Sequence, residues 1–228
     1  NIEKAVHEAI ELRQRLREMP IRDIHDVEAM AQLDADARRR LEVPELIADA
    51  FIGEVFNAGG VVSAIESRLT ALASQAELAI LGDTEIQKDY ILASDLPIGK
   101  SARYPFHWPL NFPEVFFRQN AGFDSLIGNP PFMGGRKISS SLGVAYLNYL
   151  TSIRTGINGI ADFVCHFLRQ SFDMLRTCGT FGLVATKSIS EVDSRRGGLG
   201  SIASDGGTIY CAVSNQQWPG KAAVVVSL

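Results

Sequence analysis

Asn129-Pro130-Pro131-Phe132 constrains this chain more than any other stretch. Two consecutive prolines remove two backbone donors and lock two φ angles, so neither a helix nor a sheet ladder runs through them undisturbed. The preceding run, Gly122-Phe-Asp-Ser-Leu-Ile-Gly128, carries Phe123, Leu126 and Ile127, apolar enough for a buried strand of a parallel sheet. The pattern predicts a strand that halts abruptly at Asn129. In open α/β sheets ligands lie outside the carboxyl ends of strands, which is where Asn129 would stand.

The chain around this stretch divides by composition. Residues 1–97 read as almost entirely helical. Ile2, Val6, Ile10 and Leu16 make a rough apolar stripe that stops at Met19-Pro20, and a charged segment over 23–42 carries Arg38, Arg39 and Arg40 after two acids. Those arginines read as a solvated face, with a DNA-backbone contact as the alternative. Pro44 suits the first turn of a further helix to Phe56, which stops at Gly59-Gly60. Val62, Ile65, Leu69, Leu72, Ala76 and Ile80 repeat at helical spacing, and Thr84 with Gln87 fits a capping box for a short helix to about Ala93. Gly99-Lys100-Ser101 lacks both the leading glycine and the strand of a phosphate-binding loop.

Residues 1–100 carry eleven Lys/Arg against nineteen Asp/Glu, and residues 101–228 eleven against seven. The mildly positive second part suits a polyanionic substrate without requiring one. No apolar run approaches the ~20 residues that span a bilayer. Three widely spaced cysteines suit a reducing compartment and hence the cytoplasm, and Cys165 and His166 fall in an amphipathic stretch with no further ligand at metal spacing. The start at Asn1 and the end inside an apolar run read as those of a piece of something longer.

Beyond residue 100, Tyr104-Pro-Phe-His-Trp-Pro-Leu-Asn-Phe-Pro-Glu-Val-Phe116 is too rich in proline for a long helix and reads as an extended aromatic segment resting on a sheet. After the Pro-Pro box, 139–158 is polar with a short helix near Val144–Ile153. Ile160, Val164, Phe167, Leu168, Phe172 and Leu175 make an amphipathic helix closed by Cys178-Gly179, and Thr180–Thr186 reads as the next buried strand. Gly197-Gly-Leu-Gly200 reads as a turn before a helix over Leu199–Ala203. Thr208–Val213 and Ala222–Leu228 read as two strands joined through Trp218-Pro-Gly220.

The box and the aromatic segment upstream of it, in this order, resemble DNA adenine N6-methyltransferases with an Asn-Pro-Pro-Phe box, of the large restriction-modification and phage-defence type. Asn111 stands where the family's upstream segment usually has Glu. The resemblance implies an α/β fold: the downstream half of a Rossmann-like methyltransferase core over 98–228, preceded by a helical insertion or connector over 1–97. It implies S-adenosylmethionine as methyl donor, with Asp162 and Phe163 near its pocket. A helix N-terminal acid and a core aromatic account for those two residues equally well. Double-stranded DNA with a flipped adenine is the implied partner, together with restriction or target-recognition domains of a longer chain, and no metal or membrane is called for.

The chemistry explains the residue types. An exocyclic amine is a poor nucleophile because its lone pair is delocalised into the ring. Hydrogen bonds from its two protons to the Asn129 side-chain oxygen and the Pro130 carbonyl would draw the nitrogen towards tetrahedral geometry and free the lone pair. Pro131 would hold the box, and Phe132 would stack on a base taken out of the duplex. Arg136 and Lys137 would lie near a phosphate, or on a merely solvated loop. The family's glycine-rich donor-binding turn and its acidic partner are not recognisable, so the chain reads as the target-base side of an active site, inactive alone. Two other readings stay open: a protein-glutamine or RNA amino-methyltransferase, and a non-catalytic DNA-binding or assembly module.

Overall fold

Apolar residues one helical turn apart build the first of two units. The computed structural model describes residues 2–61, 65–81, 104–154, 156–214, 216–217 and 225–227. Residues 2–57, 65–81 and 104–119 belong to one unit, and 58–61 with the described residues from 120 onward to the other. The Thr84–Gln87 capping box, Gly99-Lys100-Ser101 and Trp218-Pro-Gly220 lie outside the described residues.

In the first unit, α1 (Ile2–Glu18) and α2 (Ile24–Asn57) bury Val6, Ala9 and Leu41 together, with Ile10 and Leu110 packed against them. The helix α3 (Glu66–Ile80) follows. Pro44 does not begin a new helix; α2 runs straight through it for 34 residues. The proline deletes one backbone hydrogen bond. Burial of Ala37, Leu41 and Pro44, spaced four and three apart on one face, holds the helix on either side of the gap. The exposed Arg38 and Arg39 pair with half-buried Asp34 and Asp36 of their own helix, and exposed Arg40 with half-buried Glu8 of α1.

From Trp108 onward the aromatic segment is not extended as expected. It forms two single-turn helices, α4 (Trp108–Asn111) and α5 (Pro113–Phe116), in the helical unit. Pro109 and Pro113 occupy first-turn positions, where a missing N–H costs nothing and the fixed φ suits a helix. Phe106, Trp108 and Phe112 pack on one another, with the Trp108 and Phe112 rings stacked at 5.8 Å. Arg13 donates to the Asn111 carbonyl, and His107 Nε2 meets the buried Asp49 carboxylate at 2.9 Å.

The second unit mixes helices with a small parallel sheet. Strand β1 (Phe123–Gly128) is followed by α6 (Gly135–Leu142), α7 (Val144–Ser152), α8 (Phe163–Asp173) and strand β2 (Leu175–Leu183), which runs parallel to β1. Parallel pairing demands such a crossover, and helices supply it. The amphipathic helix ends at Asp173, so Cys178-Gly179 does not close it. Those residues lie in a bulge of β2, where Cys178 takes a left-handed φ of 62° and the register jumps from Phe123↔Leu175 to Ser125↔Thr180. β1 forms as expected but is not buried throughout: Ile127 is 89% exposed, because β1 pairs with one strand only among the described residues.

A second sheet joins β3 (Ala185–Thr186), β5 (Val225–Ser227) and β4 (Gln216–Gln217) in antiparallel order β3-β5-β4. Thr208–Val213 is exposed and forms no strand. Between β3 and β4 in the chain lies a helical run, α9 (Val192–Arg195), a π turn (Arg196–Gly200) and α10 (Ser201–Ser204). Gly197-Gly-Leu-Gly200 is therefore inside a helix rather than ahead of one. A Cβ on Gly198 would meet Cys165 of α8 at 3.5 Å, an ordinary packing distance, whereas one on Gly197 would crowd the Gly156 carbonyl at 2.9 Å. Val164, Cys165, Leu168, Ala185, Ile189 and Ile202 form the core between them. Among the described residues no helix is long and apolar enough to cross a membrane.

Candidate active site

The parallel ladder ends where the prolines begin. Gly128 pairs with Leu183, and its carbonyl accepts the Val184 N–H at 3.0 Å. Pro130 and Pro131 have no N–H with which to extend it. Asn129 is exposed at this carboxyl end, Pro130 is buried, Pro131 is exposed, and Phe132 is 39% exposed. The far side of the box is tied down by backbone. The Met133 carbonyl accepts the Phe163 N–H at 2.9 Å, and Gly135 lies so close to 160–161 that a Cβ would come within 2.3 Å of both carbonyl oxygens. Asn129–Phe132 is thus a short arch fixed at both ends, presenting a carboxamide and part of an aromatic ring to solvent.

Arg136 and Lys137 are exposed on the first turn of α6, not on a loop. Ile138, fully buried beside Leu150 and Phe163, sets the face of this helix and turns the two cations outward. Cations in a first turn oppose the helix dipole, so they do not serve the helix itself.

Asp162 is the N-cap of α8, with Oδ1 accepting the Val164 N–H at 3.1 Å. Its other oxygen accepts from Ser188 Oγ at 2.7 Å, and its backbone N–H donates to Ser194 Oγ at 3.1 Å. Phe163 is 6% exposed and packs edge-on against Phe167 and Tyr146. Asp162 and Phe163 therefore hold a helix end and a core; the structure also brings them next to the box through Met133. Sequence reading missed Ser188 and Ser194, which bond Asp162, and Thr186, which bonds Ser188. The signal was faint: a run of hydroxyl residues just past a strand.

The neighbouring Cys165 and His166 are no nucleophile–base pair. Burial pushes the Cys165 thiol up to about 11, and its sulfur donates to the Ser194 carbonyl. Burial, reinforced by the Arg154 charge, pushes His166 down to about 4, and among the described residues both ring nitrogens lack hydrogen-bond partners.

No described strand leads into an open glycine turn. Gly59 and Gly60 have positive φ but follow α2, and a Cβ on Gly60 would overlap the Ala145 carbonyl. Gly135 and Gly197 likewise face the chain's own backbone. The described residues do not fit a cofactor cradle of that kind.

A parallel strand pair joined through helices, with an exposed asparagine at the end of one strand, defines a mixed α/β unit. Residues 71–197, just over half of the chain, match the family described as Eco57I restriction-modification methylase, and the chain belongs to that family. No curated protein and no solved structure matches it.

Proposed function

We propose that this chain forms the target-base side of a DNA methyltransferase acting on the N6 amino group of adenine, in a restriction-modification or phage-defence system. The observation that carries the reading is the exposed Asn129 at the carboxyl end of β1, followed by a fixed arch that leaves the Phe132 ring accessible. The Asn129 side-chain oxygen and the Pro130 carbonyl accept the two protons of the amine and localise its lone pair. Pro131 stiffens the arch. Phe132 stacks on the flipped base, a contact worth about 1–3 kcal/mol. Arg136 and Lys137, exposed one turn away, take DNA phosphate. S-adenosylmethionine supplies the methyl group; its cradle is not among the described residues, although Asp162 and Phe163 border the same strand end.

On this reading residues 98–228 are the downstream part of a Rossmann-like core, and 1–97 a helical connector to restriction or target-recognition domains. The parallel β1–β2 pair joined through helices supports the first assignment. The test uses the full-length protein with tritiated methyl donor and DNA, followed by nucleoside analysis. Label in N6-methyladenine that disappears with Asn129→Ala is the expected result. Label in protein glutamine, or full activity in Asn129→Ala, overturns the proposal.

A further inference from the structure

Thr186, Ser188 and Asp162 form a directed chain of hydrogen bonds. Ser188 Oγ donates to Asp162 Oδ2 at 2.7 Å, and Thr186 Oγ1 stands 2.5 Å from Ser188 Oγ. A hydroxyl has one proton to give. That of Ser188 is committed to the carboxylate, so the Thr186–Ser188 bond carries the proton of Thr186. The chain therefore points one way, from Thr186 through Ser188 to Asp162, and Thr186 Oγ1 keeps only lone pairs for anything else. The carboxylate that sets this direction is 8% exposed and is held by the Val164 N–H at its other oxygen.

The chain of hydroxyls borders the box. Leu183 pairs with Gly128, and Val184 donates to the Gly128 carbonyl, so Thr186 follows two residues after the chain passes the end of β1, where the box begins. The Met133–Phe163 hydrogen bond brings the other end of the box against the helix that Asp162 caps.

Amine methylation creates a need that the box does not meet. An amine with two protons that gains a methyl group becomes a cation, and one proton has to leave. The amide oxygens of Asn129 and Pro130 accept hydrogen bonds but are too weakly basic to keep a proton. We propose that Thr186, Ser188 and Asp162 are the proton exit of this site. The N–H bond of the methylated amine breaks and its proton bonds to Thr186 Oγ1. The Thr186 proton passes to Ser188 Oγ, the Ser188 proton passes to Asp162 Oδ2, and the amine keeps its electron pair. The charge leaves the amine, the carboxylate becomes a carboxylic acid, and both hydroxyls are restored. The inference rests on the amino-methylation reading above.

The test measures single-turnover methylation of DNA by the full-length protein carrying Thr186→Val, Ser188→Ala or Thr186→Ser. Thr186→Val and Ser188→Ala are expected to slow the step about 100-fold, the scale of positioned proton transfer, with the affinity for DNA unchanged. Raising the pH or adding imidazole restores their rate, because a base in solution then takes the proton, and Thr186→Ser stays within about 3-fold of the parent. Parental rates in Thr186→Val and Ser188→Ala overturn the proposal. A slowdown that neither pH nor imidazole relieves also overturns it, since a purely structural brace behaves that way. Asn129→Ala run alongside separates the two readings. If it abolishes methylation while Ser188→Ala does not, the exit alone fails; if it leaves methylation intact, both fail.

Discussion

The Met133 carbonyl and the Phe163 N–H are joined by a 2.9 Å hydrogen bond, which fastens the box to the first turn of α8. Two residues on, Gly135 lets the chain pass the carbonyls of Ile160 and Ala161, where a Cβ would sit 2.3 Å from either oxygen. Backbone atoms cannot swing aside as a side chain can. Gly135→Ala is therefore expected to cost about 2–4 kcal/mol by overpacking and backbone displacement, measurable by urea unfolding. Methylation falls with it even where the protein remains folded, because the arch loses its anchor.

Asn129→Ala should separate function from stability. The side chain is exposed and among the described residues no hydrogen bond ties it to the fold, so unfolding free energy changes by less than about 0.5 kcal/mol. Loss of the polarising acceptor is expected to reduce methyl transfer by about 100-fold or more in a tritium-incorporation assay.

His166 makes stability depend on pH. Its folded value of about 4 lies below the ordinary 6.5, through burial first and the Arg154 charge second. Between those values the unfolded chain binds a proton that the folded chain does not. The contribution of the neutral ring is thus fully present above pH 6.5 and is lost as pH falls towards 4. The loss approaches about 3 kcal/mol across the window. Denaturant titrations should show this slope, and His166→Phe should flatten it.

The three cysteines should divide by reactivity. Cys178 and Cys211 are exposed free thiols, whereas Cys165 is fully buried with its thiol raised to about 11. A chromogenic disulfide reagent is expected to titrate two thiols in the native protein and the third only on unfolding. Three fast thiols in the native state would contradict the packing of α8 against the π turn.

Much of the fold was legible because its signals are short-range. The stripe Val6–Ile10 lies on α1, the Val164–Phe172 stripe lies on α8, and the Pro-Pro pair ends β1 where its missing N–H groups require. The helix near Val144 was readable for the same reason. Punctuation by proline and glycine proved less dependable. Pro44 looks like a helix start but sits mid-helix, Pro109 and Pro113 look like breaks but begin single helical turns, and Gly197-Gly198 looks like a turn but lies in a π turn. In each case a neighbouring surface decided the outcome: burial along one face of α2, the aromatic cluster around Phe112, and the Gly156–Ile157 backbone against Gly197.

The sequence by itself determined the box and its place at a strand end, because proline stereochemistry and apolar period act within a few residues. Only the tertiary structure decided what surrounds it. Asp162 meets Ser188 and Ser194 across 26 and 32 residues of chain, and Gly135 meets Ile160 and Ala161 across a helix pair. Such encounters depend on how helices cross a sheet, and no local pattern of residues encodes them.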